Sequence, residues 1–138
     1  MFDHCLYFNT TALARVVERE WSAAFKPLGL TPPQGFLLRS VLSRPGLSQH
    51  ELATALTVAR PTATRLLDGL QELGLIERRA AAFDGRHSLV HPTKAALAIE
   101  QSLNDASRRV TQAIQKKVGK ERFAETVSSI QSVCQALK

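Results

Sequence analysis

The chain has 138 residues and a formal net charge of +6, from 18 Lys and Arg against 12 Asp and Glu. That length suits one domain with a real core and not two, and 44% hydrophobic with 22% charged residues excludes a disordered polyelectrolyte. No apolar run approaches the roughly 20 residues of a membrane span.

Met1-Phe2-Asp3-His4 lacks the basic start and apolar stretch of a secretory signal. Two cysteines, Cys5 and Cys134, make no disulfide framework, so a reducing cytoplasm is expected. The excess of positive charge suits an anionic partner, and equally a merely soluble basic protein.

The first segment, about Cys5 to Leu28, reads as a helix. Leu13, Val17, Trp21, Ala24 and Leu28 recur at three- and four-residue steps along one stripe, and Pro27 and Gly29 mark the end. Thr31-Pro32-Pro33-Gln34 opens a second helix, with Thr31 as cap, Pro32 at the first helical position and Gln34 reaching back. Phe36, Leu37, Leu38, Val41 and Leu42 follow, and Arg44-Pro45-Gly46 stops it. Ser48-Gln49-His50-Glu51 is a second capping box, opening a short helix with Leu52, Ala53 and Leu56 inward.

After only Thr57 to Arg60, another helix starts at Pro61. It turns Ala63, Leu66, Leu67, Leu70 and Leu73 inward, and Gly74 caps its end. Two short helices joined by a tight connection form a helix-turn-helix. Leu75 to Arg79 then reads as a strand, Ala80 to Gly85 as a turn carrying Asp84-Gly85, and His87 to His91 as the returning strand, ended by Pro92. Such a hairpin is marginal alone and must lean on the helices.

Thr93 caps a long helix to about Val118, with Ile99, Leu103, Ala106, Val110 and Ala113 on one face, and Gly119 breaks it. A last helix carries Phe123, Val127, Ile130, Cys134 and Leu137 at steps of four, three, four and three. These seams offer more apolar face than a small winged domain covers, which points to burial against a second copy. The fold class is therefore mainly α with a small β-hairpin wing. Residues 1–138 form a single protomer, 31–92 the winged helix-turn-helix lobe, and 1–30 with 93–138 a helical dimerisation region.

The helix from Pro61 presents Arg60, Thr62, Thr64 and Arg65 at its N-terminal end, opposite the leucine stripe. That end of a recognition helix reaches base edges in the major groove, where Arg takes guanine bidentately and Thr meets a base, a phosphate or a thymine methyl. Arg86 at the hairpin tip suits the narrow, electronegative minor groove, with Asp84 beside it to orient the guanidinium. Arg78 and Arg79 at the wing base are placed for phosphates, as Ser48 and Gln49 are for the DNA backbone. Taken singly, an exposed Arg or Thr is usually solvated surface, and Asp-Gly-Arg is usually a turn. The ordered combination is what points to double-stranded DNA.

The combination resembles a known family. Ser48-Gln49-His50-Glu51-Leu52-Ala53, Thr64-Arg65-Leu66-Leu67-Asp68-Gly69-Leu70, Gly74-Leu75-Ile76-Glu77-Arg78-Arg79 and Asp84-Gly85-Arg86 followed by Pro92-Thr93 are similar to the multiple antibiotic resistance regulator (MarR) family. Pro92 and Ala96 stand where that family usually has Leu and Gly. The resemblance implies a sequence-specific, homodimeric repressor on a pseudo-palindromic operator, dimerised by its first and last helices. It also implies release by a small aromatic or phenolic effector in a crevice between dimer helices and DNA-binding lobe, for which Trp21, Phe25, Phe36 and Arg39 are candidates. Aromatics at helical spacing fit a core equally well.

Two other readings remain. One branch of the family senses organic hydroperoxides through cysteines, and Cys5 and Cys134 are candidates, although Cys134 also serves as a small hydrophobe on its seam. The other is a winged-helix protein-interaction module that never touches DNA. An enzyme is disfavoured: the chain carries no GxSxG, HExxH, P-loop or dinucleotide fingerprint. His87 and His91 have no Cys or carboxylate cluster for a metal, and no cofactor is expected.

Overall fold

The computed structural model describes residues 1–82 and 87–138. The element order is α1 (Leu6–Phe25), a 3-10 turn (Lys26–Leu28), α2 (Pro32–Ser43), β1 (Leu47–Ser48), α3 (Gln49–Leu56), α4 (Arg60–Glu72), β2 (Ile76–Ala80), β3 (Ser88–Pro92), α5 (Lys94–Val118) and α6 (Lys120–Ala136). The expected helices are all present. α1 stops early because Pro27 has no N–H for the α ladder, so the chain closes in a 3-10 turn ending at Gly29, φ +73°.

Both anticipated capping boxes form. The Gln34 amide donates to Thr31 Oγ1 at 3.4 Å, and the Thr31 N–H donates to Gln34 Oε1 at 3.0 Å. The Glu51 N–H donates to Ser48 Oγ at 3.1 Å, and the Ser48 N–H to Glu51 Oε2 at 2.8 Å. α4 starts one residue earlier than expected, at Arg60, since Pro61 fits inside a first helical turn.

The hairpin lies one residue C-terminal of its expected place, and the sheet has a third member. Leu75 is withheld from β2 because its N–H closes α4 by donating to the Leu70 carbonyl at 3.0 Å. Pro92 belongs to β3, opposite Ile76 at the strand end, where a missing N–H is tolerated. The sheet runs β1-β3-β2, all antiparallel, with Leu47 opposite Val90 and Arg78 opposite Val90 on the other side. Gly46 leads into β1 with φ +92°, its N–H donating to the Val90 carbonyl.

Leu37, Leu38, Val41, Leu52, Leu67, Leu70, Val90 and Leu103 are fully buried in one core. Two expected inward residues are not: Leu73 is half exposed, as the chain reverses at Gly74 and sends Leu75 inward in its place, and Ala113 lies on an exposed turn of α5. Thr93 joins wing and α5. Its hydroxyl donates to the Gly74 carbonyl at 2.6 Å and accepts from the Ala96 N–H at 3.3 Å, while its own N–H donates to the Leu75 carbonyl. Ala96 is wholly buried there.

The lobe is fastened to α1 by aromatic packing. Trp21, Phe25 and Phe36 form a triangle with ring centroids 4.9–5.9 Å apart. The Phe25 ring lies directly on Gly35, where an added Cβ would meet Phe25 Cε2 at 2.3 Å. By contrast, α1 leaves Leu6, Phe8, Leu13 and Val16 exposed, and α6 leaves Val127, Ile130 and Val133 exposed, with Leu137 exposed just after it.

Gly35→Ala is therefore expected to destabilise the protein by about 1–3 kcal/mol through overpacking, overriding the usual gain of Ala in a helix. Gly69→Ala meets only the flexible Gln34 amide and serves as the near-neutral control. Urea unfolding midpoints of the two variants check the contrast.

Candidate nucleic-acid interface

α3 and α4 are set by their connection. Thr57 closes α3 in the left-handed region, φ 54°, and the Val58 N–H reaches back to the Ala53 carbonyl at 3.0 Å. The chain then leaves directly into α4, whose stripe of Ala63, Leu67 and Leu70 is buried. The opposite side presents exposed Arg60, Thr64 and Arg65, with Thr62 half-buried. Thr64 Oγ1 donates back to the Arg60 carbonyl at 3.1 Å.

Arg60 is not a loose side chain. Its Nη2 lies 3.1 Å from His50 Nδ1 on α3, across a concavity also lined by Gln49, Thr64, His87 and Leu89. Ser48 is half-buried, with its hydroxyl committed to the cap of α3. Arg65 makes no side-chain hydrogen bond or ion pair among the described residues.

Arg78, expected at the phosphates, has acceptors within the fold. Its side chain is one-fifth exposed and turned onto α4, donating to Asp68 Oδ1 at 2.8 Å, Gln71 Oε1 at 2.9 Å and the Thr64 carbonyl at 3.4 Å. It braces the wing against the Thr64, Asp68 and Gln71 stripe of α4. Arg79 is exposed and pairs with Glu77 on the same strand. Asp84 and Arg86 lie outside the described residues.

Of the effector candidates, Phe36 and Arg39 line an open cleft of about 900 Å3 between α2, β1, α3 and α5. Trp21 and Phe25 do not. Phe25 is sealed in the core against Gly35, and Trp21 packs on both phenylalanines. Arg39 Nε donates to Asn104 Oδ1 at 3.0 Å and Nη1 to Ser107 Oγ at 2.6 Å, and the guanidinium sits 5.6 Å from the Phe36 ring centroid. Burial pushes its pKa below the ordinary value, yet an arginine stays charged. Arg44, Glu100, Asn104 and Ser107 also line the cleft and were not anticipated. The sequence signal for Glu100, Asn104 and Ser107 is their polar spacing of four and three along α5. Cys5 precedes α1 and Cys134 lies near the end of α6, both free and exposed.

Comparison with known proteins points one way. The profile of the MarR family matches residues 28–87. Over 71 residues the chain is 39% identical to the HTH-type transcriptional repressor Rv2887 of Mycobacterium tuberculosis, a stretch covering 51% of each protein. The aligned part thus spans about half the length of that curated relative. Among solved structures, the transcriptional repressor CouR bound to a 23-mer DNA duplex superposes with TM-score 0.85 at 23% identity, covering 96% of this chain and 94% of that one. The PcaV transcriptional regulator from Streptomyces coelicolor, in complex with its natural ligand, gives TM-score 0.79 at 23% identity, covering 91% and 92%. At these identities the superpositions establish the shared winged-helix fold.

Two outcomes follow from the geometry. Hydrogen bonds from the Ser48 N–H and hydroxyl, with Arg44 and His50 nearby, hold the Glu51 carboxyl below its ordinary value of 4.5. A depressed carboxylate stabilises the fold fully above the unfolded value, and that contribution is lost as pH falls through the folded one. Unfolding midpoints measured at neutral pH and stepwise below about pH 4.3 are expected to fall more for the parent than for Glu51→Gln. Arg78→Ala removes the brace between β2 and α4 and is expected to cost about 1–2 kcal/mol of stability, read by thermal denaturation.

Proposed function

We propose that the chain is a MarR-family transcriptional repressor that binds double-stranded DNA as a homodimer. The observation that carries this reading is the exposed N-terminal end of α4. Arg60, Thr62, Thr64 and Arg65 stand there opposite the buried leucine stripe, where a recognition helix meets base edges. CouR, whose fold this chain shares, is a repressor bound to duplex DNA, which supports the same use of the fold here. In this reading α4 enters the major groove and α3 crosses the backbone through Ser48 and Gln49. The wing carries Asp84 and Arg86 to the adjacent minor groove, and Arg79 meets phosphate.

The homodimer is supported by the apolar residues that α1 and α6 leave uncovered. Residues 1–30 and 93–138 thus serve dimerisation, and 31–92 serves reading. Two copies of α4 would stand about 34–36 Å apart, one turn of DNA. The effector is a small aromatic anion in the cleft of Phe36 and Arg39, in keeping with the ligand-bound state of PcaV. Arg39 links α2 of the reading lobe to Asn104 and Ser107 of the dimerising α5. An anion that takes over its guanidinium therefore competes with the tie between the two regions, shifting the population of lobe orientations.

Electrophoretic mobility shift against the gene's own upstream duplex tests the reading. Affinity should fall steeply with salt, and Arg65→Ala and Arg86→Ala should each weaken binding by about 1–3 kcal/mol while the dimer persists in size-exclusion chromatography. Normal binding by both variants would remove these residues from the interface. No binding by the parent protein would favour the protein-interaction module.

A further inference from the structure

We propose that His50 is a specificity-determining positioning residue, which holds Arg60 ready to read a guanine and releases it when the imidazole takes up a proton. The inference deepens the reading of α4 as the recognition helix and rests on it. It starts from the 3.1 Å contact between Arg60 Nη2 and His50 Nδ1. A guanidinium has donors only, so Nδ1 must be the acceptor. That fixes the ring as neutral with its hydrogen on Nε2, and the tautomer follows from the partner alone. The pair then offers the remaining guanidinium N–H groups and the Nε2–H, donors throughout. In the major groove, guanine alone answers with two acceptors side by side, O6 and N7.

The two residues reach each other because of the tight connection. His50 occupies the first turn of α3 and Arg60 the first turn of α4, and the left-handed closure at Thr57 brings those turns side by side. Both side chains are exposed, so the contact adds little to folding. Its effect is on the reader. A free arginine surrenders its rotamer freedom on docking, whereas one already held loses less.

Protonation reverses the arrangement. A charged imidazole has no acceptor, and two cations then face each other across the same gap. Among the described residues, the charged or titratable groups around the pair are Glu51 on α3, with Arg44 near that carboxylate, and His87 across the concavity beside β3. A protonated His50 also raises the general attraction of the surface for phosphate. Total affinity and discrimination are therefore expected to move in opposite directions when acidification puts a proton on the imidazole.

The test uses the full chain and a duplex selected by it from a randomised pool, with each G·C pair of a half-site replaced in turn by A·T. Fluorescence anisotropy gives the affinity ratio at about pH 8 and about pH 5.5. The parent should discriminate about tenfold at one G·C pair at the higher pH and lose most of that at the lower. His50→Ala should lack the discrimination at both. His50→Asn, whose Oδ1 falls near the place of Nδ1 and does not titrate, should retain it at both. His87→Gln should keep the pH response. Discrimination that survives in His50→Ala, or a pH response that disappears in His87→Gln, overturns the proposal. If Arg60→Ala retains every preference, the reading of Arg60 itself fails. If that variant loses the preference while His50→Ala and low pH leave it intact, only the role of His50 fails.

Discussion

The arrangement depends on a benzyl ring lying on bare backbone. Phe25, the last residue of α1, presses on Gly35 in the first turn of α2, at a distance no side chain on residue 35 would permit. Glycine within a helix is a local cost of about 0.5–1 kcal/mol relative to alanine. Burying a phenylalanine repays about 1.5–3 kcal/mol, which decides the exchange. The contact fixes the angle at which α1 meets the lobe. From α2 the constraint passes to α4 through the shared core, where Leu37 and Leu38 are buried with Leu67 and Leu70. The helix that presents Arg60 and Arg65 is thus referred, through that core and Gly35, to the helix that carries the uncovered apolar face.

A second line of reference runs through Thr93. One hydroxyl accepts from the start of α5 and donates to the Gly74 carbonyl beyond α4. The long helix therefore begins where α4 and the wing meet, tied there by Thr93. Pro92 fits because the strand ends there, and Ala96 fits because a methyl fills the buried junction.

What could be read from residues alone was whatever short-range chemistry decides. Ser48 and Glu51, or Thr31 and Gln34, are three apart and announce a helix start wherever the rest of the chain lies. Gly74 and Gly119 announce stops for the same reason, and the leucines of α4 share one period. The third strand was not legible. β1 is two residues long, too short for alternation, and exists because Val90 arrives opposite Leu47. The cleft was legible in part: Phe36 and Arg39 are there, but Asn104 and Ser107 meet Arg39 only after α5 folds back across 65 and 68 positions. His50 carries no signal of its own within a capping box, because its partner lies ten residues away around the turn. The same limit put Phe25 in a pocket: aromatic spacing marks a buried face without saying whether the ring lines a space or fills one.

The arginines show why net charge is a poor guide to a nucleic-acid surface. Arg78, Arg79 and Arg65 carry the same charge on one small lobe, yet their engagements differ. Arg78 has three acceptors and a largely covered side chain, so turning it toward a phosphate would break a network and unpack β2 from α4. Arg79 shares an exposed pair with Glu77, and such pairs are worth only about 0–1 kcal/mol. A phosphate can therefore take Arg79 from its carboxylate at little cost. Arg65 has nothing to give up among the described residues. Arg60 lies between these cases, held by a neutral acceptor that keeps its direction without opposing its charge. The cost of letting go, more than the number of positive groups, decides which arginines are available to an anion, and that cost is set by what each side chain touches in the fold.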